Sequence, residues 1–393
     1  MTILKHLDAL LIEPTIDTIV TSIRAKVNFN MIGLLGHSRG GEGVVAAQNI
    51  HAEFKCAYDI KAILAFAPTD GSQWEGYSPY DPGVPYMMIY GTEDHDVTGS
   101  TGKTGFRTYD RAVRPRHYLA IYGGNHNFFN DKWDQADGSP TITREEQKDI
   151  TTVYVTAFFS NYLLDQQAYV EFSAGYTVPP SISAINTTVL HSDQPERWIH
   201  LTVDDSQDVP ADVSTNSLGF TNTSSGVTTF TEESLRFITS PEYNYYIHDT
   251  DGLRVEWGQD GGSVTFNVGN QNFHPFAYLN FRVGQRFRLT DNVNPPDQPQ
   301  DFSVTLVDVA GNSSPAYPVS VYIPIYYTYV GEYTKSIMQT VRIPMRAFTA
   351  NGSPLNLGHI RSIRFTFDQV NTGELIFDDI ELLGLDITEP VIP

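Results

Sequence analysis

Residues 1 to about 165 alternate between short apolar runs and stretches with helical spacing. Met31 to Leu35, Ala62 to Ala67, Pro85 to Tyr90 and Tyr118 to Tyr122 are brief and rich in apolar side chains. Strands lacking a polar face, separated by helical segments, are what a parallel sheet covered on both sides requires. Gly40 to Ile50 and Arg144 to Leu164 are the strongest helices. The second opens on a capping box, Thr143 with Glu146, ahead of Ile150, Val153, Tyr154, Ala157, Phe158 and Leu164. At the start of the chain Ile3, Leu7, Leu10 and Leu11 also recur at helical spacing, while Asp8 and Glu13 interrupt the apolar stretch a signal peptide needs. That segment reads as the inside of a domain. This half is α/β.

The pattern changes around Tyr176-Thr177-Val178-Pro179-Pro180-Ser181, where paired prolines continue neither helix nor central strand, so the join is expected here. Beyond it the period is two. Val264, Phe266 and Val268, then Leu279, Phe281 and Val283, then Val341, Ile343 and Met345, then Ile363, Phe365 and Phe367 occupy alternate positions. Arg282, Arg342, Arg364 and Thr366 fall between them, the signature of antiparallel sheet with one face buried and one solvated. Clusters of Gly, Pro, Asn and Asp separate the runs. The expectation is an α/β domain over residues 1–178 followed by an all-β sandwich of jelly-roll type over 179–393.

Length agrees with two domains, since 393 residues exceed the ~150 of an average one. Hydrophobic residues make up 40%, enough to build a core, which excludes a largely disordered chain. Lys and Arg total 25 against 46 Asp and Glu, a formal net charge of −21. Such a chain repels phosphate backbones, so nucleic acid is not expected as a partner. No apolar run approaches the ~20 residues of a membrane span. The single cysteine, Cys56, excludes an intrachain disulfide and any zinc site built from cysteines. What remains is chemistry by serine, histidine and carboxylates.

The sequence offers that chemistry after the first apolar strand. Gly36-His37-Ser38-Arg39-Gly40 is G-x-S-x-G at a strand-to-helix junction. A nucleophilic serine on so sharp a turn needs glycines where the chain crowds two residues before and two after it. A helix N-terminus behind it helps stabilise developing negative charge. The serine requires a base, and the base an orienting acid. The third strand ends in Gly91-Thr92-Glu93-Asp94-His95-Asp96-Val97, and the fourth in Gly123-Gly124-Asn125-His126-Asn127. Ser, Asp and His thus follow successive strands in the chain order of an α/β-hydrolase triad. Asp94, Asp96 and Asp70 are all candidate acids, and the G-x-x-D-x-x-V spacing from Gly91 favours Asp94. His126 is the candidate base, because His37 and His95 lie off the last strand's loop. His37 is read as shaping the elbow.

These motifs resemble a family. Gly36 to Gly41 is similar to the elbow of chlorophyllases and of bacterial esterases related to cutinase-type polyester hydrolases, and Gly124-Asn125-His126-Asn127-Phe128-Phe129 resembles the histidine loop of some of those esterases. The resemblance covers Asn30 to Leu164. It implies a cofactor-free serine hydrolase acting on carboxylic esters, lipid-like or polymeric, with Ser38 as nucleophile, His126 as base, Asp94 as acid and the backbone N–H of Arg39 as an oxyanion donor. The family's elbow follows its fifth strand, so the four strands here correspond to strands five to eight. Only 37 residues precede Ser38, and none forms an HGGG-like donor loop. The expectation is a partial hydrolase sheet, from a longer gene or as a remnant, with weak or no activity of its own.

In the second half, Thr340 to Phe348, Ile363 to Asp368 and Gly373 to Leu382 resemble jelly-roll carbohydrate-binding modules appended to secreted hydrolases. That likeness implies a polysaccharide or polymer surface as partner and an extracellular location, which the acidic composition suits. Asp378 and Asp379 stand where such modules sometimes hold a structural calcium. Strand alternation argues that only one of the two points inward. Tyr243, Tyr245, Tyr246, Tyr322, Tyr326 and Tyr327 are candidates for an aromatic platform, set against the commoner role of such rings as core or cross-strand pairs. Two functions therefore stand: a serine esterase with an accessory sandwich, or an impaired hydrolase that works as a glycan- or surface-binding protein.

Overall fold

The structure is a computed structural model that describes residues 2–12, 18–54, 56–70, 81–97, 105–173, 178–194, 198–207, 212–235, 238–239, 244–245, 248–259, 261–286, 293–328 and 337–385. The chain divides into two units, Met1–Pro195 and Glu196–Pro393.

In the first unit, α1 (Thr2–Ile12) and α2 (Thr18–Arg24) precede β1 (Ile32–His37), α3 (Arg39–Phe54), β2 (Ile60–Phe66), β3 (Tyr86–Gly91), α4 (Phe106–Arg111), β4 (Arg116–Ile121), α5 (Arg144–Leu164), the short α6 (Val170–Ser173) and β5 (Val189–Gln194). The sheet order is β1-β2-β3-β4-β5. The first four strands run parallel, so the loops after β1, β3 and β4 emerge at one edge, which brings residues distant in sequence together. β2, β3 and β4 are almost wholly buried, and α5 lays Ile150, Tyr154 and Phe158 against Leu64, Ile89 and Leu119. The Thr143–Glu146 capping box is formed, and α5 ends at Asp165 in the left-handed conformation.

The sheet does not stop at the expected join. β5 lies beyond Pro179-Pro180 and pairs antiparallel with β4, so the boundary falls at Pro195 rather than Val178. Val189-Leu190-His191-Ser192-Asp193-Gln194 carries neither an apolar run nor an alternation, because polar side chains such as Ser192 and Asp193 find partners inside. His117 Nδ1 meets Asp193, His117 Nε2 meets the Tyr162 hydroxyl at 2.8 Å, and the hydroxyls of Tyr109 and Ser192 are 3.0 Å apart.

The second unit contains β6 (Trp198–Asp204), β7 (Asn222–Ser225), β8 (Thr229–Ser234), the short pair β9 (Ile238–Thr239) and β10 (Asn244–Tyr245), β11 (Asp251–Trp257), β12 (Ser263–Gln271), β13 (Tyr278–Gln285), β14 (Ser303–Asp308), β15 (Tyr317–Pro318), β16 (Gln339–Pro344), the one-turn α7 (Met345–Phe348), β17 (Ile360–Thr366) and β18 (Gly373–Leu385). One sheet has the order β16-β13-β18-β11-β8, with β6 on the far stretch of β18; the other is β15-β14-β17-β12-β7. Among the described residues the strand pairings in both are antiparallel. Alternate residues of the two inner faces form one core, in which Phe281, Phe302, Phe365 and Phe377 pack as a cluster. Each such ring contributes roughly 1.5–3 kcal/mol by burial.

The outer face of the first of these sheets departs from the expected solvated one. On β17 of the other sheet Arg364 is exposed, as its alternation predicts, but Arg282 and Asn280 on β13 are buried. Their side chains are engaged within the sheet, Arg282 Nη1 by Asp378 (3.1 Å) and Asp379 (3.3 Å), and Asn280 by Glu381 (3.0 Å) and Arg342 (2.8 Å). The register slips where Asn280 faces Glu381 but Arg282 faces Asp378, and Asp379 has φ 50°. This bulge turns both acids onto one guanidinium, against the expectation that only one points inward. The two carboxylates proposed for calcium are therefore engaged by an arginine.

Candidate active site

The elbow is built from backbone outward. Ser38 donates its N–H to the Phe66 carbonyl at 2.9 Å, continuing the pairing of β1 with β2. Its own carbonyl accepts from Gly41 N (2.9 Å) and Glu42 N (3.4 Å), which starts α3. Between these constraints Ser38 is held at φ 57°, a region that non-glycine residues enter at a cost. Gly36 is obligatory, since a Cβ there would stand 2.1 Å from the Gly40 carbonyl oxygen. Gly40, expected to be required for the same reason, would point a Cβ into open space. The second close approach belongs instead to Gly41, whose Cβ would meet Pro68 at 2.7 Å. Thr69 Oγ1 donates to Glu42 Oε2 at 2.7 Å and ties the loop after β2 to the elbow helix. Arg39 opens α3, in the turn where backbone N–H groups lack helical acceptors.

The carboxylate expected as acid and the imidazole expected as base meet. Asp94 Oδ2 lies 2.7 Å from His126 Nδ1, and both side chains are fully buried. Asp94 Oδ1 accepts from Asp96 N (3.0 Å) and Val97 N (2.6 Å), so the loop's own turn fixes the carboxylate. Gly91 allows the two loops to approach, because a Cβ there would sit 2.3 Å from the Gly124 carbonyl oxygen. Asp70 lies elsewhere, bonded to Arg111 at 3.2 Å with Arg107 at 4.0 Å. Asp96 Oδ2 is 3.6 Å from His126 Nε2, on the other edge of the ring. Burial disfavours the imidazolium of His126, but the bond to Asp94 and its charge, with Asp96 and Asp137 adding to them, hold the pKa above the usual 6.5.

Ser38 and His126 are not hydrogen-bonded: Nε2 is buried and makes no hydrogen bond among the described residues. The gap is bridged by the neighbour of the serine. The His37 ring centroid is 4.6 Å from that of His126, 5.3 Å from Trp133 and 5.7 Å from Phe129. Serine–histidine contacts in unliganded sites are commonly long and tighten when substrate binds. Burial first, then the neighbouring His126, pushes the His37 pKa down to about 4, so that ring stays neutral near pH 7.

A set of supporting residues was missed by the motif search. Asn125 and Gln147 are fully buried and bond reciprocally, Asn125 N to Gln147 Oε1 at 2.7 Å and Gln147 Nε2 to Asn125 O at 2.8 Å. Asn125 Nδ2 also reaches the Glu93 carbonyl at 3.1 Å, tying the histidine loop to the acid loop. Asp137 accepts from His95 N (2.9 Å) and Asn127 N (3.4 Å). Trp133 lies nearly parallel over the His126 ring at 5.8 Å. The polar residue after Gly124 and the Gln within α5 were signals, since a buried polar side chain must be bonded.

Of the six tyrosines expected as an aromatic platform, Tyr326 is half-buried. Tyr327 is buried and Tyr322 packs against the sandwich core, while the side chains of Tyr243, Tyr245 and Tyr246 lie outside those described. Among the described residues no cluster of His, Cys, Asp or Glu is placed to hold a metal ion, and no helix is long and apolar enough to cross a membrane.

No family model and no curated protein matches the sequence. Solved structures do. The family 11 carbohydrate-binding module of the cellulosomal cellulase Lic26A-Cel5E of Clostridium thermocellum is 15% identical with a TM-score of 0.30, over 47% of this chain and 95% of that chain. The family 30 carbohydrate-binding module of the cellulosomal cellulase Cel9D-Cel44B of Clostridium thermocellum is 15% identical at 0.32, over 48% of this chain and 99% of that chain. An exo-beta-agarase is 13% identical at 0.31, over 49% and 26%.

Proposed function

We propose that the chain binds a polysaccharide through its β-sandwich, and that Ser38, His126 and Asp94 of the other unit form the machinery of a serine esterase. The ligand class of the first half is taken from what the similar modules are named for, and the two-sheet antiparallel architecture accords with it. One observation carries the chemical half: a fully buried Asp94–His126 pair lies against the ring of His37, the neighbour of a serine held at positive φ on a strand-to-helix turn. That is the arrangement an α/β-hydrolase uses.

The reaction follows from the geometry. Asp94 on Nδ1 fixes the tautomer in which Nε2 of neutral His126 carries the lone pair. Rotation of Ser38 Oγ toward Nε2 passes its proton to the imidazole as the oxygen bonds to the ester carbonyl carbon. The N–H of Arg39 faces the resulting oxyanion, and a single lost donor of this kind costs ~10²–10³ in rate. His126 then protonates the departing alcohol, and water, deprotonated by the same ring, cleaves the acyl-enzyme. No cofactor enters these steps. On this reading the chain, acting on polysaccharide and polymeric ester, works outside the cell.

A fluorophosphonate probe and a pull-down on insoluble mixed-linkage glucan test the halves separately. Labelling of the native chain and none of Ser38→Ala, with both retained on the glucan, is the expected result. Retention without labelling leaves the alternative, an impaired hydrolase acting as a glycan-binding protein. Labelling without retention removes the polysaccharide. Neither signal overturns both halves.

A further inference from the structure

His126 has a carboxylate at each edge of its ring. Asp94, at 2.7 Å from Nδ1, is wholly buried; Asp96, at 3.6 Å from Nε2, has a side chain 55% exposed. The two acids are linked by local geometry. Because Asp94 Oδ1 accepts the N–H groups of Asp96 and Val97, the chain turns tightly, and the next acid but one comes round to the opposite nitrogen. Nε2 makes no hydrogen bond among the described residues, so the proton that Ser38 must deliver would land on an atom already facing a negative charge.

We infer that Asp96 is a positioning residue that favours the imidazolium form of His126 and competes with Ser38 for Nε2, so that turnover rises as this proton is lost. The catalytic consequence rests on the esterase reading; the ion pair does not. Trp133 stacks on the imidazole and shields it from water on that side, where a charge at 3.6 Å counts for more than it would in solvent. The other titratable groups around the ring do not oppose this. Asp137 adds negative charge while its own oxygens accept from His95 N and Asn127 N, and His37 is neutral over the range in which His126 titrates. The pair also has an exit. A half-exposed carboxylate swings into water at little cost, whereas Asp94 cannot, so one acid is permanent and the other yields when substrate arrives.

The test is imidazole NMR of the full chain, following the His126 titration in the native protein, Asp96→Asn and Asp96→Ser. Both replacements leave the backbone N–H on which Asp94 depends. The expected result is a lower His126 midpoint in both variants, with high salt moving the native protein in the same direction and the variants less, since the acid is half in solvent. The pH midpoint of kcat/KM on p-nitrophenyl acetate moves to lower pH alongside it, so the variants outperform the native chain on the acid side. An unchanged His126 midpoint overturns the inference whatever the activity. A shifted midpoint in a chain with no turnover overturns the esterase reading and leaves the ion pair standing.

Discussion

Each unit buries an acid against a basic side chain, and the two pairs are built for different ends. Asp94 stands in a loop past the end of a parallel strand, and its partner is an imidazole with one nitrogen still open. Asp378 stands within β18, and its partner is the guanidinium of Arg282, which also receives Asp379. An imidazole exchanges its proton near neutral pH, whereas a guanidinium keeps its charge throughout. The first pair can take part in proton transfer. The second joins β13 to β18 across a bulge.

Substitutions sharpen the contrast, beginning with the largest effect. Asp94→Asn is expected to reduce kcat/KM on p-nitrophenyl acetate by about 10⁴, or roughly 5–6 kcal/mol of transition-state stabilisation, through the wrong imidazole tautomer. Its urea midpoint should move far less than its rate. Arg282→Met does the reverse: it leaves Asp378 buried without its cation and should lower stability by about 3–5 kcal/mol in urea unfolding, while fluorophosphonate labelling of Ser38 persists. Adding Asp378→Leu should recover most of that loss. A Gly36→Ala chain should lose on the order of 3 kcal/mol and its labelling together, because the new methyl group meets the Gly40 carbonyl. Gly40→Ala, with open space before it, should match the native protein in both measurements.

The smallest effect is one of pH. Burial pushes the His191 pKa down to about 4, and its Nδ1 has no partner. The unfolded chain takes up this proton near pH 6.5, the folded chain only near 4, so stability is complete above 6.5 and is lost as pH falls between those values. About 2 kcal/mol should be gone by pH 5, and His191→Leu should flatten that part of the urea-midpoint profile. His126 works in the opposite sense. Its raised pKa adds stability below 6.5 that disappears as pH rises through the folded value.

The sequence made the strands and helices with strong apolar periodicity legible. Met31 to Leu35 and Tyr118 to Tyr122 differ from β1 and β4 by no more than two residues at either end, and the capping box of α5 stands where Thr143 and Glu146 implied. Loop order after successive strands was enough to bring Asp94 and His126 together, because parallel strands deliver their loops to one edge. Pattern failed where polar residues are internal. His191 and Asp193 hide β5, and Arg282 was read as solvent-facing, since alternation reports a residue's face without saying what satisfies it there. Nor does glycine spacing distinguish Gly36, which is sterically required, from Gly40, which is not.

Where β5 lies governs how this protein is to be dissected. A fragment cut at the paired prolines would strip the sheet of its final strand, uncover β4 along its length and strand His117 without Asp193. An expression boundary placed after Gln194 keeps that strand with its sheet, and the catalytic and glycan assays can then be run on separate polypeptides.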